Sequence, residues 1–469
     1  MASVHEPQAF TTYGWIACIW ILIVSFQYGY HISSLNQIQA VLTCRNAIPE
    51  SPTVHYGLPA CIPMSDATFS VLTSVYTVGG LIGSLGANLA MDRWGRKGAC
   101  RVSALATAVG AGIMGISASL TSLILGRMLT GIGAGVGLCV GPIFLSEITP
   151  PKMRGAIGVL TQFAIVIGIM TTQAMGLQLA TPRQWRIVLL FSTALAASQL
   201  FVSSMMVESP TWLNRHGLLQ EKDKVARRLW KSGQIVRSPD LPTYDSEDPL
   251  LNTEDADEDD QIKPVEEHAI SVPQLLVTPD LRRPLTIICF SMLVQQLSGV
   301  NAVLYYSNDI LSKALPDLGP YVSLGITIVN TIMTAAPIFL IDRLGRKQLL
   351  SMSAGGALLS LFGVGFGLDS NLTSLASISI LAFVASFAIG IGPVPFVMIP
   401  EVSPRHAVSA LSSVALSLNW IANFIVGLVF LPLRNLLAQD DPDKEGRVFY
   451  VFAAMLALCT FVLFRVYRG

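Results

Sequence analysis

Apolar residues run along this 469-residue chain in long blocks, separated by short polar breaks. A helix of about 20 largely apolar residues spans the hydrocarbon layer of a bilayer. Twelve blocks of that length are read, at 14–36, 67–91, 98–120, 122–146, 155–180, 186–207, 284–307, 320–341, 348–368, 374–400, 407–432 and 447–466. A soluble protein with buried helices has no reason to repeat one length twelve times. The pattern predicts an all-α, multi-pass membrane protein with twelve transmembrane helices.

Two breaks carry nearly the same words. Asp92-Arg93-Trp94-Gly95-Arg96-Lys97 and Asp342-Arg343-Leu344-Gly345-Arg346-Lys347 each stand between two apolar blocks, 250 residues apart. Each surrounds a glycine, which permits a tight turn, with cations and a carboxylate. The duplication predicts two six-helix halves, 1–207 and 284–469, joined by a cytosolic linker at 208–283. Paired halves are a common build of transporters.

Loop cations set the orientation. Arg93, Arg96, Lys97, Lys152, Arg154, Arg343, Arg346, Lys347 and Arg405 fall on the side shared by loops 2–3, 4–5, 8–9 and 10–11, while the opposite loops are poorer. That side is read as cytosolic, and an even number of spans then places both termini there. The first block has no preceding Lys or Arg, so it reads as a retained span rather than a removed signal peptide.

Composition narrows the function. Charged residues make up 13% of the chain, against about 25% in soluble domains. Formal charge is zero and no basic tract occurs, so no nucleic-acid partner is expected. Neither GxGxxG after a strand nor GxxxxGK[ST] is present, which leaves no nucleotide site and no machinery for ATP-driven pumping. No paired carboxylates, metal-ligand cluster or nucleophile–base arrangement suggests an enzyme, a metal or a cofactor.

The linker opens with an amphipathic basic stretch, Glu221–Lys231, read as helical. It then carries nine carboxylates between Asp245 and Asp260, too polar a run to order itself. A solvated tether is the plain reading; Ser246-Glu-Asp-Pro-Leu-Leu251 also resembles an acidic di-leucine sorting signal. Cys44 and Cys61 flank the long loop between spans 1 and 2, where a disulfide and two free thiols are both compatible with the sequence. Whether Asn371 is glycosylated stays open. Gly79/Gly83, Gly131/Gly135 and Gly137/Gly141 are small-xxx-small pairs for close helix packing.

Ionisable groups inside a bilayer are expensive and mark function. The candidates are His31 in span 1, Arg127 near the start of span 4, and Glu147 and Glu401 at the cytosolic ends of spans 4 and 10. No Asp or Glu lies mid-span. Amides are richer: Gln162, Gln295, Gln296, Asn301, Asn330 and Asn419, the last beside Trp420. Amides donate and accept together, which suits a neutral ligand rich in hydroxyls. On an unbroken helix Gln296 and Asn301 point about 140° apart. Either the cavity is wide or span 7 is broken near Ser298-Gly299.

These motifs resemble the sugar porter branch of the major facilitator superfamily over nearly the whole chain. The resemblance rests on the two DRxGRK phrases, Gly126-Arg127, Glu147 with Pro150-Pro151-Lys-Met-Arg154-Gly155, Glu208-Ser-Pro210, Gln295-Gln-Leu-Ser-Gly-Val-Asn301, and Gly392-Pro-Val-Pro395 with Pro400-Glu401. Phe26-Gln-Tyr-Gly-Tyr-His31 is similar to fungal porters of the vacuolar type. The resemblance implies a major facilitator fold and sugar contacts at Gln162, Gln295, Gln296, Asn301, Asn330, Phe396, Asn419 and Trp420. It implies an outer gate at Tyr305 and Tyr306. It also implies a cytosolic ion-pair network locking the outward-open state, from Asp92, Arg93, Arg96, Arg127, Glu147, Arg154, Glu208, Asp342, Arg343, Arg346, Glu401 and Arg405. The chain departs from the pattern in four places. A glucose-binding Glu aligns with Ala388, a Trp with Phe396, and Arg residues with Thr211 and Val408.

The leading expectation is a monomeric facilitator of a small neutral monosaccharide or polyol, working by alternating access in a vacuolar or lysosomal-type membrane or the plasma membrane. The alternatives are a proton-coupled symporter using His31 and a non-transporting sugar sensor. By resemblance, symporters carry Asp at position 31 and facilitators Asn. Burial favours neutral imidazole, and a neutral ring hydrogen-bonds much as Asn does.

Overall fold

The computed structural model describes residues 9–45, 54–55, 57–150, 153–231, 272–303, 319–404, 407–439 and 444–467. Tyr305, Tyr306, Arg405 and the acidic run with Ser246 lie outside the described residues, as do the side chains of Arg154 and Asp342.

The described chain is a bundle of long helices. The first set holds α1 (Thr12–Ser33), the short α2 (Gln39–Leu42), α3 (Asp66–Gly115), α4 (Leu120–Ile148), α5 (Arg154–Leu179) and α6 (Trp185–Val202). After α7 (Pro210–Arg215), α8 (Leu219–Leu229) and α9 (Val272–Val277) comes the second set. It holds α10 (Arg282–Leu297), α11 (Gly319–Met333), α12 (Ala336–Leu344), α13 (Arg346–Asp369), α14 (Thr373–Ile389), α15 (Val394–Val402), α16 (Val408–Ala438) and α17 (Arg447–Val466). Ten helices among the described residues are long and apolar enough to cross a membrane. Asp66–Gly115 counts as one of them but is two spans, and Tyr321–Met333 is a shorter apolar helix; together these account for the twelve blocks of the sequence pattern.

The duplicated phrase folds as a duplicated break. Gly95 (φ 75°) interrupts α3, and Gly345 (φ 78°) separates α12 from α13. Both need a positive φ that only glycine adopts without strain, so a single residue reverses the chain where the pattern suggested a short turn. The face carrying these two glycines is called here the turn face.

Three spans of the second set are discontinuous. α10 ends at Leu297, and residues 300–303 resume the helix after Gly299 (φ 84°). α11 and α12 part at Thr334–Ala335, before Pro337. α14 and α15 part at Gly390–Pro393. Proline lacks the N–H that would continue the ladder. The two outcomes left open for Gln296 and Asn301 are thereby decided: span 7 is broken at Gly299.

Glycine pairs bring α3 and α4 into backbone contact. A Cβ on Gly79 would lie 2.2 Å from the Met128 carbonyl, and one on Gly131 2.1 Å from that of Tyr76. On the opposite face, Cys44 and Cys61 form a disulfide with Cα atoms 5.2 Å apart. The loop it closes is fixed to α6, since Trp185 Nε1 donates to Ala60 O at 2.8 Å and Arg186 Nη2 to Pro59 O at 2.8 Å. This is called the disulfide face.

The start of the linker is docked. Phe10 pairs with Trp230 as a β-bridge, Lys231 N donates to Ala9 O, and Trp230 Nε1 donates to Ile148 O at 2.8 Å. The amphipathic stretch does form a helix, α8, with a polar and mostly exposed surface.

Candidate functional site

Breaks in α10 and between α14 and α15 build one polar site. A broken helix leaves backbone carbonyls without intrahelical donors. Gln295 Nε2 donates to one of these, Gly392 O, at 2.6 Å, with Ile391 O at 3.4 Å. Its Oε1 accepts from Asn419 Nδ2 at 2.8 Å and from Gln296 Nε2 at 3.3 Å. Asn301 Nδ2 donates to Gln296 Oε1. That contact exists because Gly299 turns the chain and brings Asn301 back to the side of Gln296. All four side chains are buried. They satisfy one another, and amide–amide bonds of this kind can be exchanged for bonds to ligand hydroxyls.

The other predicted contacts are placed differently. Asn330 is buried on α11. Gln162 is half-buried on α5, with no hydrogen bond among the described residues. Trp420 is 1% exposed and reaches the first set of helices. Its ring meets Tyr28 and Tyr76 edge-on, with centroids 5.7 and 6.2 Å away, and only a glycine at position 80 leaves it room. Its indole Nε1 is buried with no hydrogen-bond partner among the described residues. Phe396 packs instead in an apolar cluster with Leu275, Ile288 and Leu411.

A second polar group, in the first set, is not apparent from the sequence pattern. His31 Nε2 lies 2.7 Å from Ser192 Oγ, which donates onward to Gln27 Oε1 at 2.6 Å. Because the hydroxyl hydrogen is directed to Gln27, Ser192 accepts from His31, which makes Nε2 the protonated nitrogen of the neutral ring. Gln173 bonds Ser33, and Asn36 Nδ2 reaches Ser323 Oγ at 3.5 Å across to α11. The signal for this group is the polar run Ser33-Ser34-Leu35-Asn36-Gln37-Ile38-Gln39, which the hydropathy pattern treats only as the end of a span.

Arg127 does not belong to the turn-face network. α4 starts at the disulfide face, so two turns later Arg127 meets the C-terminal end of α1. There its Nη1 donates to His31 O at 2.8 Å and Ser34 Oγ at 3.1 Å, with the guanidinium 4.5 Å from the Tyr76 ring centroid. Helix C-termini carry unsatisfied carbonyls and partial negative charge, which attract a cation.

On the turn face, Arg96 holds Glu147 through Nη2–Oε1 at 2.8 Å and Nε–Oε2 at 2.9 Å, and Ser209 Oγ donates to the same carboxylate. Arg346 holds Glu401 at 2.7 Å. Glu208 pairs with no guanidinium among the described residues. Its carboxylate accepts the backbone N–H of Arg96 at 2.9 Å and of Lys97 at 3.1 Å, capping the helix that restarts after Gly95. Burial raises its carboxyl above the ordinary range, opposed by these amides and that of Ser209. Asp92, Arg93 and Arg343 are exposed and make no ion pair among the described residues. Both pairs lie within one helix set, α3 with α4 and α13 with α15. Each braces its own set. A neutral side-chain bond crosses between the sets on this face, Asn88 Nδ2 to Ser413 Oγ at 3.2 Å.

Comparison with known proteins agrees with this architecture. Residues 17–468 match the family described as "Sugar (and other) transporter". A probable metabolite transport protein of Saccharomyces cerevisiae is 30% identical over 452 residues, covering 94% of this chain and 90% of that protein. The human solute carrier family 2 facilitated glucose transporter member 3 is 31% identical over 459 residues, covering 95% and 87%. The partially occluded inward-open structure of the xylose transporter XylE from E. coli superposes with a TM-score of 0.71 at 18% identity, covering 97% of this chain and 99% of that one. The chain therefore has the major facilitator fold, is an integral membrane protein, and belongs to the sugar transporter family.

Proposed function

We propose that this protein carries a neutral monosaccharide or polyol passively across its membrane by alternating access. The observation that carries the reading is the buried network of Gln295, Gln296, Asn301 and Asn419, set where two helices are broken at the same level. Discontinuous helices at mid-membrane are where carriers seat their substrates. Trp420 supplies an apolar face beside the amides and reaches across to the first helix set. Gln162 and Asn330 complete the ring of contacts when the ligand is bound. Relatives named for facilitated glucose transport support the same class.

Residues 1–207 and 284–469 act as the two moving bodies, with 208–283 as the link. The cation-bearing turn face is cytosolic, with both termini, and the disulfide lies on the opposite side. The host membrane is of vacuolar or lysosomal type, or the plasma membrane; a tagged chain imaged in cells distinguishes them. His31 serves as a neutral hydrogen-bonding group to Ser192 rather than a proton carrier.

The test is uptake of radiolabelled hexoses, pentoses and polyols into proteoliposomes, with and without a pH gradient. Saturable equilibration of one sugar class supports the proposal. Uphill accumulation driven by the gradient would replace it with the symporter reading, and uptake of none of the panel would reject it.

A further inference from the structure

Gly79 and Gly80 are neighbours on α3 and point about 100° apart. Gly79 and Gly83 lie against α4, where an added Cβ would meet the carbonyls of Met128 and Ile132. Gly80 stands outside that pair. A Cβ on it would lie 2.5 Å from Cζ3 and Cη2 of Trp420 and 2.6 Å from its Cε3, all in the second helix set. The absent side chain leaves a notch, and the far edge of the Trp420 ring fills it.

Little around the notch can give way. α4 presses on the Gly80 backbone from within its own set, since a Cβ on Gly135 would meet the Gly80 carbonyl. The Trp420 ring is buried and held edge-on by Tyr28 and Tyr76, with centroids 5.7 and 6.2 Å away. A close-packed interior answers an added methyl by displacing groups, not by compressing them. Room for a side chain at position 80 therefore comes from moving Trp420 out, which separates α3 from α16.

The same seam continues to the turn face. α3 runs toward that face and α16 runs away from it. Asn88, eight residues further along α3, bonds Ser413, seven residues earlier in α16. At ~1.5 Å per residue both steps are roughly 10–12 Å. Gly80–Trp420 and Asn88–Ser413 are thus two points of one antiparallel contact between the sets. Asn419, beside Trp420, donates to Gln295 Oε1 at 2.8 Å. A ligand that takes over this bond acts on the same turn of α16.

Building on the alternating-access reading above, we propose that the Gly80 notch is the inner end of the turn-face closure. Trp420 enters it when the two sets close on that side and leaves it when they part. Gly80 is a positioning residue for turnover and acts through Trp420.

In the full-length protein, Asn88→Cys with Ser413→Cys reports closure of the seam through the rate of oxidative cross-linking, followed by peptide mass spectrometry. Adding Gly80→Ala should slow cross-linking roughly ten-fold, within the range expected of an overpacked methyl. In proteoliposomes Gly80→Ala should slow sugar exchange to a similar degree, while equilibrium sugar affinity stays within about two-fold of wild type. Trp420→Leu, added to Gly80→Ala, should restore the cross-linking rate. Gly86→Ala, on the same helix with nothing within 4 Å of its Cβ, should cross-link like the parent. Unchanged cross-linking in Gly80→Ala overturns the proposal. So does a Gly80→Ala protein that stays slow or unfolded when Trp420→Leu is added, which would place the clash inside the first helix set. A wild type that carries no sugar rejects the carrier reading, and the cross-linking arm, which needs no substrate, still decides the role of the notch.

Discussion

Replacing Gln295 with alanine tests the site most directly. The side chain donates to Gly392 O at 2.6 Å and accepts from Asn419 and Gln296 at 2.8 and 3.3 Å. Its loss affects two quantities. The first is stability. The Gly392 carbonyl and the Asn419 amide lose a buried partner, and each orphaned group costs about 1–3 kcal/mol. Asn419 Nδ2 keeps a weak contact with Met292 Sδ at 3.5 Å, so the net destabilisation is expected near the lower end, about 2 kcal/mol. The second is binding. Two amide bonds to substrate hydroxyls, at about 0.5–1.5 kcal/mol each, correspond to a roughly 5- to 150-fold loss of affinity. Gln162→Ala is the matched control. With no hydrogen bond among the described residues, it should leave stability unchanged and weaken binding alone. Melting in detergent reads the first quantity; equilibrium binding and proteoliposome uptake read the second. Wild-type uptake and affinity in Gln295→Ala/Asn301→Ala would refute the assignment.

Arg96→Gln should destabilise strongly, by about 3–5 kcal/mol, because it strands a nearly buried carboxylate. Arg346→Gln, whose pair is 29% and 39% exposed, should change stability by less than about 1 kcal/mol. Both should slow turnover while leaving sugar affinity unchanged; unaltered turnover in both would count against a conformational role. The denatured, unreduced protein should show five free thiols, matching the five free cysteines; seven would exclude the bridge, which the loop-entropy model values at ~3 kcal/mol. His31→Asn should keep transport and Ser192 its hydrogen bond, and a pH gradient should drive no accumulation in either protein. Accumulation in wild type that disappears in His31→Asn would establish coupling through this residue.

Local chemistry is legible in the amino-acid sequence. Transfer of apolar side chains into hydrocarbon depends on residue type and run length, so twelve spans follow from the pattern. The duplicated glycines follow too, because tolerance of a positive φ is a property of one residue. Even the break at Gly299 is one of two outcomes required by helical geometry once Gln296 and Asn301 are assigned to a common site. Partner choice is not legible there. Arg127 reads as part of a charge network, yet the end of α1, 93 to 96 residues away in sequence, offers it a carbonyl and a hydroxyl. Glu208 reads as an ion-pair acid, and among the described residues it caps a helix 112 residues earlier. Trp420 closes on Gly80 and Tyr76 of the other helix set. Each outcome depends on which helix ends and faces the packing brings within about 3 Å, the reach of a hydrogen bond. Sequence lists the groups that must find partners in a low-dielectric interior; tertiary packing decides which partners they find.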